Sequence, residues 1–306
     1  MENNSVFNLI VESLPSSQAK RLVHGRGGVI KGWEQINIEV YPPVLWVMVY
    51  QSLDETDLLK TLNEIASQAQ GLGIEAIYIQ RRFQKDDPVE VFYGSDAFIG
   101  IDHRIIEDNL SYWVNLGRNQ NTGLFLDMSE GRAWVKANAQ NKHVLNLFSY
   151  TCSLGITAAA GYASSVVNID MAKGAIKRGQ QNLALNDVPC VSNTFIAQDI
   201  FKMIKKLTQK GPYDLLIADP PSFQSKAFDV RRDYEKLLTK LKPSLAPNAQ
   251  LMLCLNSPAL TPDFLHELVE RVFPQAQFIT RIKNPPVLAD QNEEHSLKVM
   301  LYQLPA

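Results

Sequence analysis

From Asn141 to Tyr302, short apolar runs alternate with stretches of helical spacing. That alternation predicts a mostly parallel sheet with helices on both faces. His143–Phe148 reads as the first strand, Ser165–Ile169 as the second and Asn193–Ala197 as the third. Asp214–Ala218 is the fourth and Gln250–Leu255 the fifth. Gln277–Ile282 and Leu297–Tyr302 add two more, separated only by a loop holding Pro285-Pro286, and so predict an antiparallel pair. Met171–Asn186 reads as a helix, with Ala172, Ala175, Ile176, Leu183 and Ala184 at helical spacing. Another helix opens at Leu260-Thr261-Pro262-Asp263, with Thr261 as its cap and Pro262 at its first position.

The front of the chain has a different rhythm. Gln35–Tyr41 and Val44–Tyr50 read as strands around a Pro42-Pro43 corner, followed by a helix over Asp54–Gln70 and a strand over Glu75–Gln80. Arg104–Leu116 alternates as a hairpin turning at Asp108-Asn109. Arg21-Leu22-Val23-His24-Gly25-Arg26-Gly27-Gly28 reads as a flexible basic loop, either a phosphate grip through amides and Arg26 or a simple turn. The expected fold class is α/β: a Rossmann-like, seven-stranded, mostly parallel sheet over residues 119–306. A smaller α+β domain over residues 1–118, with a role in substrate recognition, precedes it. The passage Leu116–Thr122 is short, which favours a rigid junction.

Composition narrows the function classes. At 306 residues, 45% hydrophobic and 20% charged, the chain is ordinary globular protein. No apolar run approaches the ~20 residues that span a bilayer, and Met1-Glu2-Asn3-Asn4 lacks the basic and apolar parts of a secretory signal. The expectation is a cytoplasmic protein with no membrane partner. Cys152, Cys190 and Cys254 have no metal-like spacing, the five histidines are scattered, and no metal is expected. The net charge of −2 hides an asymmetry: 10 Lys and Arg face 16 Asp and Glu through Gln120, and 20 face 16 thereafter. Lys202, Lys205, Lys206 and Lys210 cluster, as do Lys226, Arg231, Arg232, Lys236, Lys240 and Lys242. Such clusters are either a phosphate-binding face or solvated helix surface.

The strongest chemical signal is Tyr213-Asp214-Leu215-Leu216-Ile217-Ala218-Asp219-Pro220-Pro221-Ser222-Phe223. A buried strand ends in an acid, two prolines that forbid a helix or a continuing ladder, and an aromatic. The carboxyl end of a parallel strand is where open α/β sheets place their chemistry. The first strand runs into Asn146-Leu147-Phe148-Ser149-Tyr150-Thr151-Cys152-Ser153-Leu154-Gly155, which has no glycine before Gly155. The fingerprint for pyrophosphate is therefore absent, which disfavours NAD and ATP. Ser and Thr hydroxyls suit a cofactor without phosphates. Asp170 closes the second strand, where a carboxylate can accept both ribose hydroxyls or cap the helix at Met171. Asp199 closes the third and can take an adenine amino group beside the apolar wall of Ile200, or merely cap the next helix. Together the strand-end acids outline an adenosine pocket.

These motifs resemble the S-adenosylmethionine-dependent methyltransferases of bacterial 23S ribosomal RNA, especially the N7-guanine and C5-cytosine branches. The likeness runs from Asn119-Gln120-Asn121-Thr122-Gly123-Leu124-Phe125-Leu126-Asp127 and Arg132 through Leu145–Thr151, Asp170-Met171 and Gln181–Asn186. It continues through Asp219–Phe223 and Phe228-Asp229-Val230-Arg231-Arg232-Asp233. The resemblance implies S-adenosylmethionine as cofactor, 23S RNA as partner and no metal; it leaves the oligomeric state open, a homodimer included. It implies a cofactor site of Thr122, Phe125, Arg132, Asn146, Phe148, Ser149, Tyr150, Thr151, Asp170, Met171, Asn182, Asp199, Ile200 and Asp219. Phe125, Leu126 and Arg132 are expected on the strand and helix ahead of the sheet, closing over the cofactor.

For catalysis the expected residues are Asp219, Pro220, Pro221, Phe223 and Asn256. Asp219 and the Pro220 carbonyl accept from the target base, Phe223 stacks on its face, and Asn256 reads its edge. The C5-cytosine branch carries a nucleophilic cysteine after the fifth strand; here Asn256 stands at that place and Cys254 lies two residues earlier. C5 chemistry is the weaker alternative. Beside it stand a catalytically silent RNA-binding protein, a small-molecule or protein methyltransferase, and a nicotinamide oxidoreductase.

Overall fold

A computed structural model describes residues 3–86, 88–189, 192–224, 228–294 and 296–306. Cys190 and Lys226 lie outside the described residues. The chain divides into two compact units, residues 1–127 with 285–293 and residues 128–284 with 294–306.

In the first unit, five strands pair in the order β1 (Lys20–His24), β2 (Ile36–Tyr41), β3 (Val44–Val49), β4 (Ala76–Arg81) and β5 (Val89–Tyr93). Helix α2 (Thr56–Ser67) joins the parallel pair β3 and β4. Alternate residues Ile36, Ile38, Val40, Leu45, Val47, Val49, Ile77 and Ile79 pack against Val6 and Ile10 of α1 (Asn3–Val11) and Leu58, Leu62 and Ile65 of α2. This period of two buries one face of the sheet. The opposite face is also largely closed, but by polar and aromatic groups. There the buried Glu39 accepts from the Arg21 guanidinium at 2.6 Å and from the Tyr41 hydroxyl at 2.8 Å. A separate hairpin, β6 (Asp102–Glu107) with β7 (Leu110–Asn115), turns at Asp108 (φ 48°) and Asn109 (φ 62°). Two successive left-handed residues are the tight hairpin turn that Asp and Asn tolerate.

The expected loop at Arg21–Gly28 is thereby corrected. Its first half is edge strand β1, paired antiparallel with β2, and Gly25–Gly27 is a single 3-10 turn. The short strand has only Leu22 and Val23 buried, too little periodicity to read from sequence.

The second unit holds a seven-stranded sheet. Its strands are β8 (His143–Leu147), β9 (Ser165–Asp170), β10 (Ser192–Ala197), β11 (Tyr213–Ala218), β14 (Leu245–Leu255), β15 (Gln277–Ile282) and β16 (Lys298–Gln303). The spatial order is β10-β9-β8-β11-β14-β16-β15; β16 alone runs antiparallel to both neighbours. A two-residue hairpin, β12 (Phe223–Gln224) with β13 (Phe228–Asp229), follows β11. Helices α3 (Ser129–Asn138), α4 (Ser153–Ala160) and α5 (Lys173–Ala184) cover one face through Val135, Leu154, Ala158, Ala159 and Leu183. Helices α6 (Ile200–Lys210), α7 (Val230–Leu241) and α8 (Asp263–Val272) cover the other through Leu207, Leu237, Leu238, Leu265 and Leu268. Strand β14 begins five residues before the apolar run does, because Leu245 pairs with Tyr213 ahead of an irregularity in register. Helix α8 opens on Pro262, which already has helical dihedrals (φ −54°, ψ −31°), with no side-chain cap bond.

Candidate functional site at the carboxyl edge of the sheet

The chain leaves β8 in an unusual backbone. Phe148 (φ 52°), Tyr150 (φ 47°) and Cys152 (φ 63°) are all left-handed, a conformation costing ~1–2 kcal/mol for each non-glycine residue. The strain is held from several sides. Ser149 N–H donates to the Ile169 carbonyl at 3.0 Å, and Tyr150 N–H to Asp170 Oδ2 at 2.9 Å. From α5, Asn182 Nδ2 donates to the Thr151 carbonyl at 3.4 Å, and Gly179 lies so close that a Cβ would sit 2.4 Å from Cys152 Sγ. Asn182 is fully buried, so it acts on the loop that it braces. Ser149 and Thr151 are buried too, with Cys152 Sγ 3.6 Å from Ser149 Oγ. The loop therefore presents the half-buried Phe148 and Tyr150 outward rather than the Ser149 hydroxyl. Beneath it, buried Asn146 Nδ2 donates to Asn168 Oδ1 across β8 and β9 at 2.9 Å.

Each strand-end acid has a distinct setting. The half-buried Asp170 accepts from both Tyr150 and Ala172 N–H, the latter at 2.8 Å, so one carboxylate fixes the loop after β8 and the entry to α5. That bond delays α5 to Lys173, two residues after the expected start, and leaves Met171 47% exposed beside the acid. Asp199 caps α6 through Oδ1, which accepts from Phe201 N–H at 2.8 Å and Lys202 N–H at 3.4 Å; Ile200 beside it is buried. Its cap role is thus realised, with Oδ2 outside both bonds. The third acid, Asp219, is half-buried and followed by a buried Pro220 and an exposed Pro221.

The Asp219 turn is clamped from behind. Buried Tyr234 of α7 places its hydroxyl 3.0 Å from the Ala218 carbonyl and 3.3 Å from the Cys254 carbonyl, joining the ends of β11 and β14. Ser222 Oγ donates to the carbonyl of Asn256, whose side chain is exposed just past β14. Fully buried Lys298 donates to the next carbonyl, Ser257, at 3.0 Å and to Glu294 at 2.7 Å. Burial, reinforced by the charge of Asp219, pushes the Tyr234 hydroxyl and the Cys254 thiol well above their usual ranges. Phe148 meets buried Phe228 edge-on at 4.8 Å, supporting the same corner.

Five expected residues have settings of their own. Thr122 is buried in the first unit, its hydroxyl 3.0 Å from Tyr41 Oη. Phe125 is 45% exposed and precedes a 3-10 turn at Leu126–Met128 rather than lying on a strand. Arg132 is buried on α3. The Phe223 side chain lies outside the described residues, and its backbone belongs to the β12–β13 hairpin. Asn146 sits below the loop instead of on it. Tyr234 and Lys298 were missed by sequence reasoning. The signal for Lys298 was a single lysine inside the apolar run Leu297–Leu301; Tyr234 offered none beyond its buried helical position.

The donor set decides what fits. Carboxylates at the ends of adjacent strands would repel phosphates and accept from hydroxyls and an amino group. With Met171 and Ile200 as apolar neighbours, the set suits an adenosine carrying a positive sulfonium: Asp170 would hold the ribose, Asp199 the adenine amino group and the Phe148–Thr151 loop the remainder.

The model of the S-adenosylmethionine-dependent methyltransferase family matches residues 20–303. The chain is 31% identical over 237 residues to the ribosomal RNA large subunit methyltransferase K/L of Pseudoalteromonas translucida, covering 74% of this chain and 33% of that protein. Its identity to the K/L protein of Psychrobacter cryohalolentis is 36% over 194 residues, 61% of this chain and 25% of the other. With ribosomal RNA large subunit methyltransferase K of Neisseria meningitidis serogroup B it is 32% over 192 residues, 61% and 54% respectively. The chain thus spans about a quarter to a half of these relatives' lengths. In fold it matches SMU.776, complexed with SAH, at TM-score 0.84 and 24% identity over 99% of this chain and 82% of that one. It matches the M. jannaschii tRNA m1G37 methyltransferase at TM-score 0.60 and 11% identity over 88% and 74%. With the family model covering nearly the whole sequence, the chain belongs to the S-adenosylmethionine-dependent methyltransferases.

Proposed function

We propose that this protein methylates a ring or amino nitrogen of a base in 23S ribosomal RNA, guanine being the favoured base. The observation that carries the reading is the braced Asp219-Pro220-Pro221 turn at the end of β11, held by Tyr234 and joined to the Asn256 carbonyl through Ser222. The relatives named as large-subunit ribosomal RNA methyltransferases support the substrate class.

S-adenosylmethionine, when bound, supplies an already activated methyl group. The work left to the chain is placement of the acceptor in line with it. Asp170 and Asp199 orient the adenosine through hydroxyl and amino donors. Asp219 and the Pro220 carbonyl accept from the exocyclic or ring N–H of the target base, turning its nucleophilic nitrogen toward the donor. Asn256, exposed on the facing turn, offers both a donor and an acceptor for the base edge. Guanine N7 carries an in-plane lone pair, so no general base is required.

C5-cytosine chemistry is disfavoured by Cys254. It is fully buried and its thiol is pushed up, so it does not present a thiolate to a base.

The test is incubation of the protein with S-adenosylmethionine and 23S RNA, as naked transcript and as precursor subunit, followed by nucleoside mass spectrometry. A methylated base formed by the wild type and lost in Asp219→Ala, with cofactor affinity retained, is the expected result. Absence of any RNA methylation with both substrates overturns the reading.

A further inference from the structure

The His24-Gly25-Arg26-Gly27-Gly28 segment takes no part in the chemistry above, yet its geometry is built with care. Gly25 is buried where a Cβ would lie 1.8 Å from the Trp33 carbonyl oxygen and 2.4 Å from that of Ile36. A Cβ on Gly27 would lie 2.3 Å from the Ala289 carbonyl oxygen. No side chain fits at either place, and Gly28 completes the turn with φ 74°. Between the two glycines the exposed Arg26 lies over the Tyr50 ring, its guanidinium 4.2 Å from the centroid. Arg82 approaches the same ring at 5.3 Å. Arg82 is fixed by neutral acceptors, the buried Gln80 Oε1 at 3.1 Å and the Gln120 carbonyl at 2.6 Å. Tyr50 is itself held, its hydroxyl accepting from Asn37 Nδ2 at 3.4 Å.

Glu39 and Asp290 have partners elsewhere. Glu39 pairs with Arg21 at 2.6 Å, and Asp290 lies 3.6 Å from His24 Nε2. Among the described residues, neither Arg26 nor Arg82 is in an ion pair. Two guanidiniums on one ring, neither paired with a carboxylate, concentrate positive charge that an anion at either of them offsets.

We infer that Arg26 and Arg82, seated on Tyr50, form a phosphate-binding site for the backbone of the RNA substrate. The inference rests on the reading that the substrate is RNA. Guanidinium forks bind phosphate oxygens in paired hydrogen bonds, and such contacts set register on a nucleic acid without reading its sequence. The stacked tyrosine keeps both arginines ordered before binding, which lowers the entropy lost on docking.

The test measures binding of a 23S RNA transcript at several salt concentrations for wild type, Arg26→Gln, Arg82→Gln, the double variant, and Lys60→Gln as a control on an exposed helix residue. Cofactor calorimetry on each variant establishes that it is folded. Each arginine substitution should flatten the slope of log K against log salt by about 0.7, and the double variant by about twice that. Lys60→Gln should match the wild type. An unchanged slope in the double variant, or an equal loss in Lys60→Gln, overturns the site while leaving the RNA reading intact. A wild type that does not bind RNA at any salt overturns that reading and the site with it.

Discussion

The hydroxyl of Tyr234 lies 3.0 Å from the carbonyl oxygen of Ala218, the last residue before Asp219. Its second partner, the Cys254 carbonyl at 3.3 Å, lies one residue before the end of the neighbouring strand, so one buried phenol sets the spacing of the two turns that flank the proposed base site. Tyr234→Phe keeps the ring packing and removes only this link. It should lower unfolding free energy by about 1–2 kcal/mol in denaturant titrations. The rate of methyl transfer should fall more than cofactor affinity does. Transfer at the wild-type rate would show that the turns hold their spacing without it.

Asp170 serves two backbone amides as well as the proposed ribose. Asp170→Ala should weaken S-adenosylmethionine binding about ten- to a hundredfold by calorimetry, on the order of 1–3 kcal/mol for a charged hydrogen bond. It should also lower Tm, because Tyr150 and Ala172 lose their acceptor. Asp170→Asn, which retains one acceptor oxygen, should fall between. Unaltered affinity in the alanine variant would remove Asp170 from the cofactor site.

Cys254 separates nitrogen methylation from covalent C5 chemistry. Cys254→Ala should transfer methyl groups within about twofold of the wild type, at a stability cost of about 1 kcal/mol for the buried atom removed. Iodoacetamide should leave this thiol unmodified in the folded protein. Loss of transfer together with a covalent RNA adduct on Cys254 in the wild type would restore the C5 alternative.

A pH dependence follows from Asp233. Its carboxylate accepts from Arg232 at 2.6 Å and from Asp229 N–H at 2.9 Å, while Asp229 in turn accepts from Arg231 N–H at the start of α7. The Arg232 hydrogen bond, opposed by burial and assisted by Asp229 N–H, holds the group below its ordinary 3.8. A carboxylate depressed by folding adds stability above its unfolded value and loses it as pH falls through the folded one. Arg232 is 69% exposed, so solvent screening leaves the helix-start bond as the main contribution. Asp233→Asn should cost about 1 kcal/mol at pH 7, and urea titrations should show that gap closing below pH 4. A gap independent of pH would assign the cost to packing alone.

The parallel strands are legible because each is a short apolar run ending in a polar turn, and their acids read as a row from the sequence alone. Asp108 and Asn109 announced their hairpin by residue type alone. Less legible were strands such as Lys20–His24, where only two of five side chains are buried. The supporting contacts could not be read at all. Tyr234 reaches carbonyls 16 and 20 residues away, and Lys298 reaches one 41 residues away, so local sequence does not reveal these partners, although the lone lysine inside Leu297–Leu301 marks Lys298 itself. Asp199 is seen in its capping role; that cap uses one carboxylate oxygen, so the other reading, an adenine contact, stays a proposal.

Between β15 and β16 the chain gives residues 285–293 to the first unit, where Ala289 stands against Gly27 and Gln291 N–H donates to the Gly27 carbonyl at 2.8 Å. It then returns to lay β16 into the interior of the seven-stranded sheet. Neither unit is encoded as an uninterrupted stretch. On the translating ribosome, where domains ordinarily mature in turn, both of these must wait for the same late segment, and a gene split between residues 127 and 128 would leave the first fragment lacking residues 285–293, which the second carries.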